Sequence, residues 1–157
     1  MTFDRLDYSA ENCSIRRTLD IVGEKWALLV LREAFYGVRR FDDFHRAIGC
    51  ARNILAARLA TLVEHRILER HGYREAGSRP RSEYRLTGKG RELFPTLVAL
   101  LQWGDRWTAD PEGAAVELRH DGCGASIAAE LRCGAGHGPL TAHDVIPEPG
   151  PAAITAA

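Results

Sequence analysis

Two sets of side chains in this 157-residue sequence have types and spacings that suit chemistry. The first is a scatter of arginines. Arg39 and Arg40 precede "FDDFHRAIG", Arg52, Asn53 and Arg58 lie in "ARNILAAR", and Arg79 and Arg81 flank Pro80 in "GSRPRSEYRL". A guanidinium group pairs with guanine or holds a phosphate, and an asparagine amide pairs with adenine, so these types suit a polyanion whose base edges are exposed. For each of them the alternative is a solvated surface. The second set is His120, Cys123, Cys133 and His137, spaced H-x2-C-x9-C-x3-H among glycines. Thiolate and imidazole are ligands of tetrahedral Zn2+, and four protein ligands leave no open position, so a metal here would be structural. A metal-free remnant is the other reading of the same residues. Cys13 stands apart from both sets. At the start of a helix, near Arg16 and Arg17, its thiolate form is favoured and a redox-sensing role is chemically reasonable; a small half-buried packing residue is the alternative.

Composition narrows the class of protein. With 45% hydrophobic and 27% charged residues the chain reads as globular. The opening "MTFDRLDYSAENC" lacks a basic and an apolar signal region, and the longest apolar run is "WALLVL", so neither export nor membrane insertion is expected and the location is read as cytoplasmic. The zero net charge conceals an asymmetry. Residues 1–107 carry 19 Lys+Arg against 14 Asp+Glu, residues 108–157 carry 2 against 7, and within 37–91 the count is 13 against 6. A locally positive field attracts phosphates whatever the total charge. We find no nucleophile with a paired base, no phosphate-cradling glycine loop and no shared carboxylate pair, so no enzymatic activity is expected.

The elements that must position these residues follow from periodicity. "SIRRTLDIVG" places Ile15, Leu19 and Val22 at helical spacing, and "EKWALLVLREAFYG" is a buried helix closed by Gly37. A short helix over "RRFDDFHRAIG", capped by Asp42 or Asp43, leads through a Gly-Cys turn into an amphipathic helix with Leu55, Leu59 and Leu62 in line. The period then changes: Ile67, Tyr73, Tyr84 and Leu86 belong to two strands joined by a Gly/Ser/Pro tip. Thr87 caps a long helix reaching Trp107, which Pro95 should kink. From Thr108 onward two or three short strands with tight turns are expected, ending in a flexible tail.

Three short helices followed by a hairpin form a winged helix-turn-helix, which presents the last of those helices to the DNA major groove. The stretches "CSIRRTLDIVGEKWALLVLREAFYGVRRFDDFHRAIG", "ILAARLATLVEHRILER" and "SEYRLTGKGRELFPTLVALLQWG" resemble the HxlR-type transcriptional regulators, relatives of the MarR group. The resemblance covers roughly residues 13–107. It implies a homodimeric regulator, more often a repressor than an activator, that binds a palindromic double-stranded operator and in some cases responds to a small-molecule effector or an oxidant. Two departures are visible. The family's Ser or Thr cap of the recognition helix, and the Pro that often follows, are here Ala51 and Arg52.

The expected architecture is therefore α+β: a flexible arm (1–12), a winged helix-turn-helix domain with a long C-terminal dimerisation helix (13–107), a small β-rich, zinc-ribbon-like extension (108–146) and a disordered end (147–157). A winged helix used only as a protein-interaction module is the rival reading; clustered arginines on the wing and recognition helix argue against it.

Overall fold

The computed structural model describes residues 4–74 and 81–156. Its elements are α1 (Ser14–Val22), α2 (Lys25–Phe35), α3 (Phe41–Ile48), α4 (Arg52–Glu64), β1 (Leu68–Tyr73), β2 (Arg81–Leu86), α5 (Gly88–Arg91) and α6 (Phe94–Trp107). The chain divides into two compact units, residues 9–94 and residues 1–8 with 95–157.

In the first unit α2 is central. Ala27, Val30 and Leu31 are lost to solvent, and α4 supplies Leu55, Leu59 and Leu62, all fully buried, while Phe44 of α3 completes the core. Helix α2 stops through a Schellman turn. Gly37 has φ +91°, its N–H donates to Ala34 O, and Val38 N–H donates to Glu33 O. Helix α3 ends at Gly49 with φ +72°, and Cys50 is buried in the turn before α4. Helix α4 ends by the same Schellman pattern as α2, with Arg66 N–H on Val63 O and Ile67 N–H on Leu62 O. Here an arginine holds the left-handed position at φ 55°, a conformation that costs a non-glycine residue roughly 1–2 kcal/mol. Strands β1 and β2 pair antiparallel in the register Leu68 with Leu86 through Tyr73 with Arg81. Short helices, an αL turn and this hairpin make the unit a winged helix-turn-helix.

Several expectations change. Asp42 and Asp43 do not cap α3; the cap is Arg40, without a side-chain bond, and both carboxylates lie in the first turn, where they face the positive end of the helix. Instead of one kinked helix from Thr87 to Trp107 there are two. Thr87 does cap the first, its Oγ1 accepting from Gly90 N–H at 3.0 Å. Pro95 then sits in the first turn of α6, where its missing N–H would have had no helical partner anyway. Beyond α6 the expected strands are reduced to isolated bridges, Asp110 with Gly113 and Arg119 with Ser126, plus a 3-10 turn at Ala142–Asp144. At the chain ends, Arg5–Asp7 form a 3-10 turn, Tyr8 bridges Thr155, and Ala156 N–H donates to Asp7 O.

Ala51 has the extended backbone of an N-cap (φ −59°, ψ 142°) but no side chain to use it. Ala51→Ser should therefore raise the unfolding free energy by about 0.5–2 kcal/mol. Urea denaturation monitored by circular dichroism reads this directly, and an unchanged or lower midpoint would refute the missing-cap account.

Candidate nucleic-acid interface

The turn between α3 and α4 brings the start of α4 against the base of the wing. A cleft of about 570 Å³ is lined there by Arg40, Arg52, Arg70 and Arg81 together with Asp42 and Asp43. Each arginine is held by a different element. Arg40 precedes α3 and lies 4.6 Å from the centre of the Tyr73 ring on the wing. Arg70, in β1, donates to Ser82 Oγ at 2.9 Å. Arg81 opens β2 opposite Tyr73. Arg52 is the first residue of α4; it donates to Asp42 Oδ1 at 2.8 Å and stacks 4.8 Å from the centre of Phe41.

The Asp42–Arg52 pair has an electrostatic signature. The Arg52 hydrogen bond holds the Asp42 carboxyl below the usual aspartate range; desolvation opposes it, and the charges of Arg52, Arg81 and His45 add smaller contributions in the same direction as the bond. Arg52 keeps most of its capacity. A guanidinium has five N–H donors, and Asp42 engages it through one nitrogen, so the pair orients the group without using it up. Asn53 follows on the exposed face of the same turn.

The other arginines expected to matter divide. Arg58 is half-buried, its Nε 3.6 Å from Glu24 Oε2, within ion-pair range but too long for a hydrogen bond, so it faces the start of α2. Arg39 is exposed and its carbonyl accepts Tyr84 N–H at 2.8 Å, stitching the wing to the segment before α3. Arg79 lies outside the described residues. Arg70 is a member of the cleft that the sequence reading misses. Its place follows from the strand register, which sets Arg70 opposite Tyr84 while Glu69 and His71 alternate with it.

A second cleft, of about 670 Å³, opens between α2, the wing and α5; Phe35 and Phe94 line it with ring centres 5.1 Å apart, beside Arg39, Arg85 and Arg91. Arg85 is bonded to Glu83, and this contact holds the Glu83 carboxyl below its ordinary range. Cys13 is half-buried at the N-cap position of α1, and all four cysteines are thiols. In the C-terminal unit the four predicted metal ligands come together only in pairs, His120 Nδ1 with Cys123 Sγ at 3.3 Å and Cys133 Sγ with His137 Nδ1 at 3.4 Å. Among the described residues no group of three or more His, Cys, Asp or Glu side chains is placed to hold a metal. No described helix is long and apolar enough to cross a membrane.

The HxlR-like helix-turn-helix family model matches residues 21–112, which include the whole cleft. The chain belongs to this family. Among its relatives, the uncharacterized HTH-type transcriptional regulator Rv3095 of Mycobacterium tuberculosis is 44% identical over 151 residues, covering 96% of this chain and 94% of that protein. A Synechocystis regulator of the same description, sll1512, is 42% identical over 96 residues, 60% of this chain and 70% of its own. Among solved structures, PA1607, described as a candidate transcription factor, superposes with a TM-score of 0.77 at 41% identity over 88% of this chain and 95% of its own. The redox regulator HypR in its reduced form gives 0.53 at 30% identity over 59% and 90%. As an HxlR-like protein the chain is a transcriptional regulator, and the family implies binding to DNA.

The Asp42–Arg52 contact makes a pH prediction. Because the folded-state pKa of Asp42 is depressed, the contact stabilises the fold above the ordinary aspartate pKa and is lost as pH falls through the lowered value. In a carboxyl-carbon NMR titration Asp42 should have a midpoint below that of a free aspartate, and Arg52→Ala should move it up. Coincident midpoints in the two proteins would exclude the pairing.

Proposed function

We propose that this chain is a homodimeric, sequence-specific repressor that reads a palindromic operator with the first turn of α4 while its wing grips the backbone. The observation that carries this reading is the convergence of Arg40, Arg52, Arg70 and Arg81 on one cleft. Arg52 and Asn53, at the tip of α4, are the base-reading pair; their donors suit guanine and adenine. Arg40, Arg70 and Arg81 hold phosphates, with Arg39 and Arg79 as further contacts. Arg58, turned toward Glu24, supports the helix rather than the DNA. A wing that only bound protein would have no use for four guanidinium groups around the end of a recognition helix.

Dimerisation rests on α6. Leu100, Trp103 and Trp107 recur at helical spacing on that helix and are 50%, 62% and 68% exposed, a stripe too apolar to face water without cost. Pairing this stripe with its copy would set the distance between two recognition helices. A dimer seated across a promoter excludes polymerase, so repression is the expected outcome. Cys13, half-buried at the head of α1, is the residue through which an oxidant would act on the regulator, a parallel with the redox regulator HypR. Mass spectrometry after mild peroxide, run beside a DNA-binding assay, tests this; no adduct at Cys13, or an adduct with binding unchanged, ends the redox reading.

Selection from a random DNA pool should enrich a palindrome with half-sites about 10 bp apart, one helical turn. Replacing Arg70 and Arg81 together with alanine should weaken binding to all sequences and flatten its log–log salt dependence by about 0.9 for each phosphate no longer neutralised. Arg52→Ala should instead relax sequence preference at one position of each half-site. An unchanged salt slope in the double variant would sink the phosphate assignment. Trp103→Glu should convert the dimer to a monomer in sedimentation; a wild-type protein already monomeric at micromolar concentration would remove α6 from the account.

A further inference from the structure

The segment after α6 poses a physical problem. From Thr108 to Ala156 no described residue is buried, yet the chain there makes specific, repeated turns. A stretch of this length without a hydrophobic core needs another source of cohesion, and small modules commonly use a metal.

The two turns that contain the cysteines are copies of one design. The first follows "ELRHDGCGA" and the second "ELRCGAGHG". In each, the arginine donates through Nη2 to the glutamate two residues before it: Arg119 to Glu117 at 2.5 Å, and Arg132 to Glu130 at 3.0 Å. The other nitrogen of each arginine, Nη1, donates to the carbonyl of a left-handed glycine, Arg119 to Gly124 at 3.1 Å and Arg132 to Gly136 at 3.4 Å. Those glycines have φ +71° and +86°, which a side chain would strain. Both turns also close on the residue after the arginine, the first turn being one residue longer. The residue after the arginine, His120 or Cys133, offers its carbonyl to the N–H of that glycine, at 2.7 and 2.9 Å. Each turn then holds one imidazole and one thiol, in opposite chain order: His120 with Cys123, and Cys133 with His137.

The separations within the pairs are informative. Two ligands on one tetrahedral zinc, with Zn–S near 2.3 Å and Zn–N near 2.0–2.1 Å, stand about 3.6 Å apart. The observed Nδ1–Sγ distances are 3.3 and 3.4 Å. Gly122 keeps the first pair in place, since a Cβ there would lie 2.8 Å from the His120 ring. Each turn is thus half of a tetrahedral site already arranged, with both imidazoles presenting Nδ1.

We propose that these two turns are the halves of one structural metal site, in which His120 Nδ1, Cys123 Sγ, Cys133 Sγ and His137 Nδ1 hold a single Zn2+ within one chain. The two pairs stand apart, so the ion draws the tips together across the short "SIAAELR" link, which Gln102 of α6 holds by accepting from Ala129 N–H and donating to Ile127 O. Binding releases one proton from each thiol, and two thiolates neutralise the charge of the ion. Two thiolates and two imidazoles in a closed tetrahedron select zinc over the hard cations. With no open position the site serves structure, and catalysis has no part in it.

The test uses the full chain purified without a histidine tag, loaded with zinc chloride and dialysed. Elemental analysis should give one zinc per chain, and Cys123→Ser and Cys133→Ser should each lose stoichiometric binding. Because those variants could fail to fold, cobalt substitution of the wild-type protein supplies an independent reading. Co2+ should show the intense visible bands of tetrahedral coordination and an ultraviolet thiolate-to-metal band with the intensity of two sulfurs. Zinc should also protect both thiols from iodoacetamide. A content well below one per chain, half an equivalent bridging two copies, a pale octahedral cobalt spectrum, or one-sulfur intensity would each overturn the proposal. None of these readouts involves DNA, so its failure leaves the regulator reading untouched.

Discussion

The geometry of the arginine cleft depends on one packed face, the Leu55–Leu59–Leu62 stripe of α4 against α2. The three side chains are fully buried and follow one another at intervals of four and three residues, the spacing of a single helix face. Burial of each contributes roughly 1.5–3 kcal/mol relative to exposure. Rotating α4 about its axis would forfeit that contribution, so its orientation has little freedom. With the stripe inward, Asn53 must point outward at the first turn; Arg52, three residues before Leu55 on the stripe's own row, clears the core because it stands at the helix start, held there by Asp42 and the Phe41 ring. The missing cap at Ala51 weakens the very turn that carries them, and the Asp42–Arg52 bond across the helix-turn-helix restores part of that order.

The wing is held to this body at both ends. At the α3 side, the Arg39 carbonyl accepts Tyr84 N–H, Arg40 bridges Glu83, and the Tyr84 ring meets Phe44 edge-on at 6.4 Å between centres. At the α4 side, three carbonyls left over by the helix end find donors on the segment after β2. Thr87 Oγ1 donates to Arg66 O at 2.6 Å, Thr87 N–H to Ile67 O at 3.1 Å, and Lys89 Nζ to His65 O at 2.9 Å. Gly90 allows this closure; a Cβ there would lie 2.2 Å from Ile67 O. Thr87, Lys89 and Gly90 therefore act as a clasp between recognition helix and wing, which explains why "LTGKG" sits where the hairpin returns.

Most of the winged helix is readable from the chain, because each element there buries an apolar stripe with a clear period and ends at a glycine or threonine of known use. Gly37, Gly49 and Thr87 behave as their positions suggest. Legibility fails where the end signal is not a glycine or the period is not filled. Arg66 closes α4 in a left-handed conformation that its type disfavours, so the helix boundary carries no mark. Pro95 suggests a kink because proline inside an apolar period and proline in a first turn look alike until the break at Glu92–Leu93 is seen. The cleft is half legible. Arg40, Arg52 and Arg81 are visible as types in a basic region, whereas Arg70 requires the β1–β2 register and Arg58 requires the position of Glu24, neither of which spacing reveals. In the tail, short segments between tight turns suggest strands, but with no face to bury, the pairing stops at single bridges among the described residues.

The charges in the cleft also explain why a carboxylate stands among them. Four guanidinium groups around a cavity of about 570 Å³ repel one another, and without an anion the local field would favour splaying them. Asp42 relieves this at little loss of donor capacity, since it occupies one nitrogen of Arg52. Arg70 is held by a hydroxyl, a partner that an incoming phosphate can outcompete. Arg52 and Asp42 are both more than half exposed, so their bond sets the direction of the guanidinium and leaves its remaining donors open. Under the reading proposed, the carboxylate sets the direction of the one guanidinium whose direction has to be right, the base-reading Arg52.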